Sequence, residues 1–185
     1  MKQALLAGAV IAASLFTSPA HAQMVVVHGR GPAQDCYVAA ARGDSDRRAI
    51  DLCDLALDHD FLTRQDRAAT HVNRGVLHLR RGADARALSD FNNSIEIDPG
   101  AGEAHLMRGI ALLQLGRLGE ANAAITQALS LNVVRPERAY YYRGAANEEA
   151  GNARAAYADY RRAADLAPGW RSPQTELARF QVRRN

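Results

Sequence analysis

Three histidines have the spacing in this chain that is most suggestive of chemistry. His71 and His78 are seven residues apart, which places them on one face of a helix, and His105 follows His71 after 34 residues. Imidazole nitrogens are common ligands of zinc and copper, so convergence of these side chains would create a metal site. The alternative is that the histidines fill space between packed helices. We favour this alternative, so the sequence predicts no metal site.

No residue pattern in the chain predicts catalysis. The two cysteines and the serines lie outside any recognisable nucleophile motif. The GRG at 29–31 lacks the preceding strand and following helix that a phosphate-binding loop needs. The chain is therefore predicted not to be an enzyme and to need no cofactor.

The first 22 residues have the pattern of a secretory signal peptide. Lys2 precedes a short apolar segment at 4–16, and Ala20 and Ala22 are the small residues before the expected cleavage point. A membrane anchor is the alternative, but the apolar segment is shorter than the ~20 residues that span a bilayer. We expect export to the bacterial periplasm, or secretion beyond it, without membrane insertion after cleavage. Residues 23–33 are predicted to form a flexible arm.

The charge balance argues against nucleic acid as a partner. The formal net charge is +3, one unit of which belongs to Lys2, the only lysine. Basic and acidic residues are interspersed, so no strongly basic face is predicted. Alanine, a strong helix former, is abundant, and no segment after residue 28 alternates as a strand would. The composition favours an all-α protein.

An Arg-Gly pair recurs in three copies at intervals of 34 and 35 residues. Its glycines are Gly75, Gly109 and Gly144, and a second glycine follows each of them after seven residues. Small and large residues recur in the same register at Ala87, Ala121 and Ala156, and at Phe91, Ile125 and Tyr160. The first glycine of each copy is predicted to lie where two helices touch, opposite the recurring alanine. The second is predicted to end the helix in a left-handed conformation.

A period of 34–35 residues with this pattern resembles the tetratricopeptide repeat family. The resemblance covers 68–101, 102–136 and 137–170. Two departures are histidine at 71 and 105 in place of the family's aromatic residue, and Val133 in place of the closing proline of the second copy. The resemblance implies an α-solenoid of helix–turn–helix repeats. We expect a divergent hairpin over 34–67 and a capping helix over 171–185 to complete it.

The recurring arginines Arg74, Arg108 and Arg143 have two interpretations. Asp90 and Asp159 stand at matching places in the second helices of the first and third copies, whereas the second copy has alanine there. Structural Arg–Asp pairs between packed helices are the preferred prediction. A row of anion-binding arginines is the alternative.

Cys36 and Cys53 are the only two cysteines. An even number of cysteines in an oxidising compartment favours a disulfide. The repeat register places the two residues opposite each other in the divergent hairpin. The alternative is a redox or metal-binding pair, but the spacing is not CxxC.

One stripe along each first helix is the predicted binding surface. In the tetratricopeptide family the matching positions line a groove that binds partner segments, and here they are partly apolar. The predicted lining residues are Val72, Val76, Leu79, Arg80, Leu106, Ile110, Leu113, Gln114, Arg138, Tyr141, Ala145 and Glu148. Packing of this stripe against neighbouring helices is the equally weighted alternative.

The sequence thus predicts a non-enzymatic adaptor or assembly factor of the cell envelope that holds a protein segment. The family's clamp for C-terminal carboxylates needs lysine and asparagine along the stripe, and both are missing from it. Chaperone tails are therefore not expected as partners. The second hypothesis is a periplasmic protein that binds a metal or small ligand through His71, His78 and His105. Self-association of the array is the third.

Overall fold

A computed structural model describes residues 31–44, 46–58 and 61–180, and all regular structure within these ranges is α-helical. The predicted signal peptide and most of the predicted arm therefore lie outside the described residues. The helices are α1 (Pro32–Arg42), α2 (Arg47–Asp58), α3 (Arg64–Arg80), α4 (Asp84–Ile97), α5 (Gly102–Gln114), α6 (Leu118–Ser130), α7 (Pro136–Glu149), α8 (Ala153–Leu166) and α9 (Arg171–Arg179). Among the described residues no helix has the length and apolar character to span a membrane.

The helices pack in pairs, and the pairs stack in chain order. We call α1–α2 the N-terminal hairpin, and α3–α4, α5–α6 and α7–α8 hairpins 1, 2 and 3. The second helix of each hairpin also packs against the first helix of the next, and consecutive first helices contact each other. The predicted all-α solenoid of repeats is confirmed.

The mid-helix glycines are the points of closest approach within hairpins 1, 2 and 3. A Cβ atom on Gly109 would lie 2.4 Å from Ile125 Cγ1 and 3.2 Å from the carbonyl oxygen of Ala121. Gly75 and Gly144 face the rings of Phe91 and Tyr160 in the same way. The prediction that helices touch here is confirmed, but the expectation that alanine faces each glycine is largely wrong. The large residue of the second helix fills the space because it reaches across the hairpin.

The second glycine of each copy ends the first helix as predicted. Gly116 follows α5 with a φ of 69°, the left-handed region that only glycine adopts without strain. The amide of the next residue, Arg117, then donates to the Leu112 carbonyl and closes the helix end.

The N-terminal boundaries differ from the prediction. Helix α1 begins at Pro32, inside the predicted arm, because proline suits the first helical position. Helix α3 begins at Arg64, four residues before the predicted start of the first copy. The Thr63 side chain caps it by accepting from the Asp66 amide.

The C-terminal helix α9 closes the described array. Its N-cap is Trp170, so it begins at Arg171, the first residue of the predicted capping segment. Phe180 lies just after α9 and contacts the rings of Tyr157 and Tyr160 of α8. Packing of this segment on hairpin 3 agrees with the predicted capping role.

The glycine contact can be tested by adding one methyl group. Gly109→Ala should lower the free energy of unfolding by about 2 kcal/mol, since overpacking outweighs the gain in helix propensity. Gly119→Ala is the matched control, because Gly119 is also helical but has no atom within 4 Å of its Cβ position. It should be neutral or stabilise by about 0.5 kcal/mol. Urea unfolding followed by circular dichroism measures both, and equal effects would contradict the close contact.

Candidate functional site

Much of the predicted stripe on the first helices is buried. Val72, Val76, Leu106 and Ile110 belong to one continuous apolar core that joins hairpins 1 and 2. Leu113 and Arg138 are buried as well. The prediction that these six residues line an open groove is wrong. Neighbouring hairpins pack against each other, and these apolar side chains of the stripe lie in the core that they share.

Five of the six remaining stripe residues are accessible and lie towards the C-terminal ends of the first helices. We call this set the inner rim; it consists of Leu79, Arg80, Gln114, Ala145 and Glu148. Gln114 is exposed and the other four are half-buried. Arg80 also donates to the Ala40 carbonyl at 2.6 Å, which ties α3 to α1. Because the repeats are in register, the rim runs across hairpins 1, 2 and 3.

Tyr141, the last predicted stripe residue, belongs to an aromatic cluster at the end of the array. Its ring centroid lies 4.8 Å from that of Trp170 and 5.6 Å from that of Tyr160. Burial raises the pKa of Tyr141 to about 12. Trp170 was not predicted to take part, because the repeat pattern does not specify the residue that ends the last copy.

Glu148 takes part in the same closure. It accepts a hydrogen bond from the Tyr160 hydroxyl at 2.8 Å and pairs with Arg179 of α9 at 3.0 Å. Burial and this carboxylate raise the pKa of Tyr160, so the phenol stays protonated. The negative end of the predicted stripe is therefore partly neutralised by the capping helix.

The three histidines do not converge on one point. His71 Nδ1 lies 3.1 Å from Asp90 Oδ1, and His105 Nε2 lies 3.0 Å from the carbonyl oxygen of Pro99. His78 is buried near Asp90, and burial lowers its pKa, which favours the neutral imidazole. In the described part of the chain no three His, Cys, Asp or Glu residues form a group that could hold a metal ion. The hypothesis of a histidine metal site is not supported, because His71 and His105 bond to different groups, the Asp90 carboxylate and the Pro99 carbonyl.

Two of the three recurring arginines form the predicted pairs. Arg74 donates from Nε and Nη2 to Asp90 and from Nη1 to Asp54, and the shortest of these distances are 2.7 Å. Arg143 donates to both carboxylate oxygens of Asp159. The carboxylates fix the two helices of each hairpin to each other. Asp54 was not anticipated because it comes from the preceding hairpin.

The buried carboxylate of Asp90 remains ionised. Burial alone would raise its pKa, but hydrogen bonds from His71 and Arg74 outweigh burial and lower it. A pocket of about 220 Å³ lies beside Arg74, between α2, α3 and α4. Arginines outnumber carboxylates in its lining, which consists of Arg47, Ile50, Asp51, Asp54, Arg74, His78, Arg81 and Arg86.

The two cysteines form a disulfide, as predicted. Cys36 of α1 and Cys53 of α2 are joined by an S–S bond of 2.09 Å, and both residues are fully buried. Cys36 precedes Gly43 by seven residues, as each mid-helix glycine precedes the glycine that ends its helix, and the bond joins the two helices of the N-terminal hairpin. It therefore holds together the pair of helices that departs most from the repeat pattern.

Comparison with known proteins gives a consistent result. Residues 106–169 match the tetratricopeptide repeat family. The second such domain of human RPAP3, solved in complex with the HSP70 peptide SGPTIEEVD, is 26% identical with a TM-score of 0.59. The similarity covers 63% of this chain and 96% of that domain. No curated protein sequence matches the chain.

Two further solved structures share the fold. The first such domain of Spaghetti (RPAP3), bound to the HSP90 peptide SRMEEVD, is 24% identical over 62% of this chain and 90% of that one, with a TM-score of 0.59. MamA from Desulfovibrio magneticus RS-1 is 18% identical over 77% of each chain, with a TM-score of 0.65.

Proposed function

The chain belongs to the tetratricopeptide repeat family, and on that premise we propose that it is a non-enzymatic protein–protein interaction module that holds a segment of a partner protein. The observation that carries the proposal is the in-register stacking of hairpins 1, 2 and 3. Both RPAP3 domains, which share this fold, were solved with bound peptides. A rigid array with an accessible row across three hairpins suits the binding of an extended or helical segment.

The inner rim is the proposed contact surface for that segment. It offers one arginine, one glutamate, one glutamine and two apolar side chains. Such a surface would bind by hydrogen bonds and small apolar contacts, since the larger apolar side chains of the stripe are already buried. The partner segment is accordingly expected to be polar with isolated apolar residues. The chaperone-tail peptides of the RPAP3 domains are not expected partners, because the stripe offers no lysine or asparagine.

Site-specific photocrosslinking tests this proposal. A photoreactive phenylalanine replaces Gln114 on the inner rim or, as matched control, Gln127, which is equally a glutamine exposed on the second helix of hairpin 2. In cells, the probe at 114 should give an adduct with one partner, and peptide mapping should place all crosslinks within one short segment. The probe at 127 should give at least tenfold less of that adduct.

Equal adduct from both positions would contradict the proposal, as would crosslinks scattered over unrelated proteins. The reciprocal experiment uses the mapped segment as a synthetic peptide. It should bind the purified protein at micromolar concentration, and Gln114→Arg should weaken the binding at least fivefold with an unchanged melting temperature.

We further propose that the module acts as an adaptor or assembly factor in the bacterial cell envelope. The signal-peptide pattern of residues 1–22 supports this compartment, and the Cys36–Cys53 disulfide fits an oxidising one. The test is to fractionate cells and determine the N-terminus of the mature protein by mass spectrometry. A periplasmic protein that begins at Gln23 is the expected result; a cytoplasmic protein that retains Met1 would contradict it.

A further inference from the structure

Hairpin 2 lacks a carboxylate at the place where hairpins 1 and 3 each have one. In hairpin 1, Asp90 lies within hydrogen-bond distance of both Arg74 and His71. The same repeat positions in hairpin 2 hold Arg108, His105 and, in place of the aspartate, Ala124. Hairpin 2 thus keeps the arginine and the histidine but has alanine in place of the carboxylate that both would contact. This alanine is 1% exposed.

This replacement leaves two buried nitrogen atoms without partners among the described residues. Arg108 Nε and His105 Nδ1 are both shielded from solvent and make no hydrogen bond there. His105 is 7% exposed, so more than nine-tenths of it is buried. A buried polar atom without a partner is destabilising, and natural proteins rarely retain two in one place.

Residues near Arg108 do not supply the missing carboxylate. The charge of Arg108 contributes to lowering the pKa of Glu120, so the two groups lie near each other. However, Glu120 accepts two hydrogen bonds from Arg117, at 2.8 and 2.6 Å, on the exposed surface. Leu112, at the position of His78 in hairpin 1, packs with Ala124 in an apolar cluster.

We propose that Arg108 and His105 form a binding site for a carboxylate that comes from outside hairpin 2, in the role that Asp90 and Asp159 have in the flanking hairpins. Arg108 is half-buried, so part of the residue is exposed to solvent although its Nε is shielded. An arginine fork binds a carboxylate through two parallel hydrogen bonds. The ligand is a free small carboxylate or an acidic side chain of a polypeptide.

The site is separate from the inner rim. Arg108 lies two residues from Leu106 and from Ile110 on α5, which places its side chain about 200° around the helix from the buried stripe. Arg74 and Arg143, its counterparts, reach the preceding second helices at Asp54 and Thr126. The proposal therefore does not depend on the proposed function.

His105 should make binding depend on pH. Its Nε2 faces the Pro99 carbonyl and carries the proton in the neutral ring, so Nδ1 becomes a donor only in the imidazolium form. Burial lowers the pKa of His105, and the charge of Arg108 lowers it further. The Pro99 carbonyl and Asp98 act in the opposite direction, but the net effect is a lowered pKa. A bound carboxylate would favour the imidazolium. Carboxylate binding should then tighten as the pH falls from 7.5 to 6.

NMR titration of the folded, disulfide-bonded protein tests the proposal. The probe is the Nε–H signal of Arg108, identified by its loss in Arg108→Lys. Sodium acetate and a short acetylated and amidated peptide with one central glutamate are added separately, with sodium chloride at equal ionic strength as reference. Saturable shifts of the Arg108 signal are expected, at least fivefold larger than those of the exposed Arg86. Tighter binding of the peptide would identify a polypeptide source, and tighter binding of acetate a small molecule.

Ala124→Asp is the decisive variant because it supplies the carboxylate internally. It should raise the melting temperature by about 2–4 °C and abolish the acetate response. If it fails to fold, Arg108→Met should abolish the acetate-induced gain in melting temperature of the wild type, and Arg86→Met should retain it. Equal responses to acetate and chloride would overturn the proposal, as would an acetate response that persists in Ala124→Asp or in Arg108→Met.

Discussion

Asp90→Ala is expected to lower the free energy of unfolding by about 3–5 kcal/mol, a large share of the total stability of a small domain. The side chain of Asp90 is 3% exposed and accepts hydrogen bonds from Arg74 in addition to its contact with His71. Removing it leaves the half-buried guanidinium of Arg74 with fewer partners. Urea unfolding at pH 7 measures the loss. Asp165→Ala, on the exposed surface of α8, is the control and should change stability by less than about 0.5 kcal/mol.

The stability difference between the wild type and Asp90→Ala should depend on pH in a defined direction. The pKa of Asp90 is lower in the folded protein than in the unfolded chain, so its contribution to stability is fully present above the ordinary pKa of about 3.9. That contribution is lost as the pH falls through the lowered folded value. The stability difference between wild type and Asp90→Ala should therefore narrow below about pH 4. A difference that stays constant from pH 7 to pH 3 would show that the carboxylate is not held by charge.

Loss of the disulfide is expected to cost about 3 kcal/mol, and mainly to affect one end of the array. Cys36 and Cys53 are 17 residues apart, so their bond closes a loop of this size in the unfolded chain. The closed loop lowers the conformational entropy of the unfolded state and thereby stabilises the folded one. In a stacked array each hairpin depends chiefly on its neighbours. The double variant Cys36→Ala and Cys53→Ala should therefore lose amide protection in α1 and α2, while α7 and α8 keep theirs.

Native-state hydrogen exchange resolves this difference between the two ends. A uniform loss of protection from α1 to α8 would contradict the nearest-neighbour view. A loss of stability below about 1 kcal/mol would contradict the role of the disulfide in holding the divergent hairpin. The wild-type protein with its disulfide intact, measured under the same conditions, is the reference.

Much of the fold follows from local rules that a sequence displays. Each hairpin packs its two helices through the same set of contacts. For this reason the Arg-Gly pairs, the small residues and the large residues recur in register. Helix ends were harder to predict where a single polar contact decides them. Thr63 starts α3 four residues early by capping with the Asp66 amide, and the repeat period carries no trace of that bond.

The candidate site was only partly predictable, for a physical reason. The Arg74–Asp90 and Arg143–Asp159 pairs were predicted because both partners lie in one hairpin at fixed offsets. Burial of Val76 and Ile110 depends on how neighbouring hairpins stack, which the period of one hairpin does not specify. Because both residues are buried, Val76→Asp or Ile110→Asp should unfold the protein rather than only weaken partner binding.

The fold depends on the contact that the recurring glycine makes between the two helices of each hairpin. A double-mutant cycle on Gly109 and Ile125 tests it most directly, because the Cβ position of the glycine lies 2.4 Å from Ile125 Cγ1. Ile125→Ala alone should lower the free energy of unfolding by about 2–5 kcal/mol.

In the double variant the added methyl group should occupy the space that the isoleucine leaves. The double variant should therefore lose at least about 1 kcal/mol less free energy of unfolding than the two single variants lose in sum. Additivity within about 0.3 kcal/mol would contradict the contact, and with it the register that defines the hairpins, the inner rim and the arginine pairs.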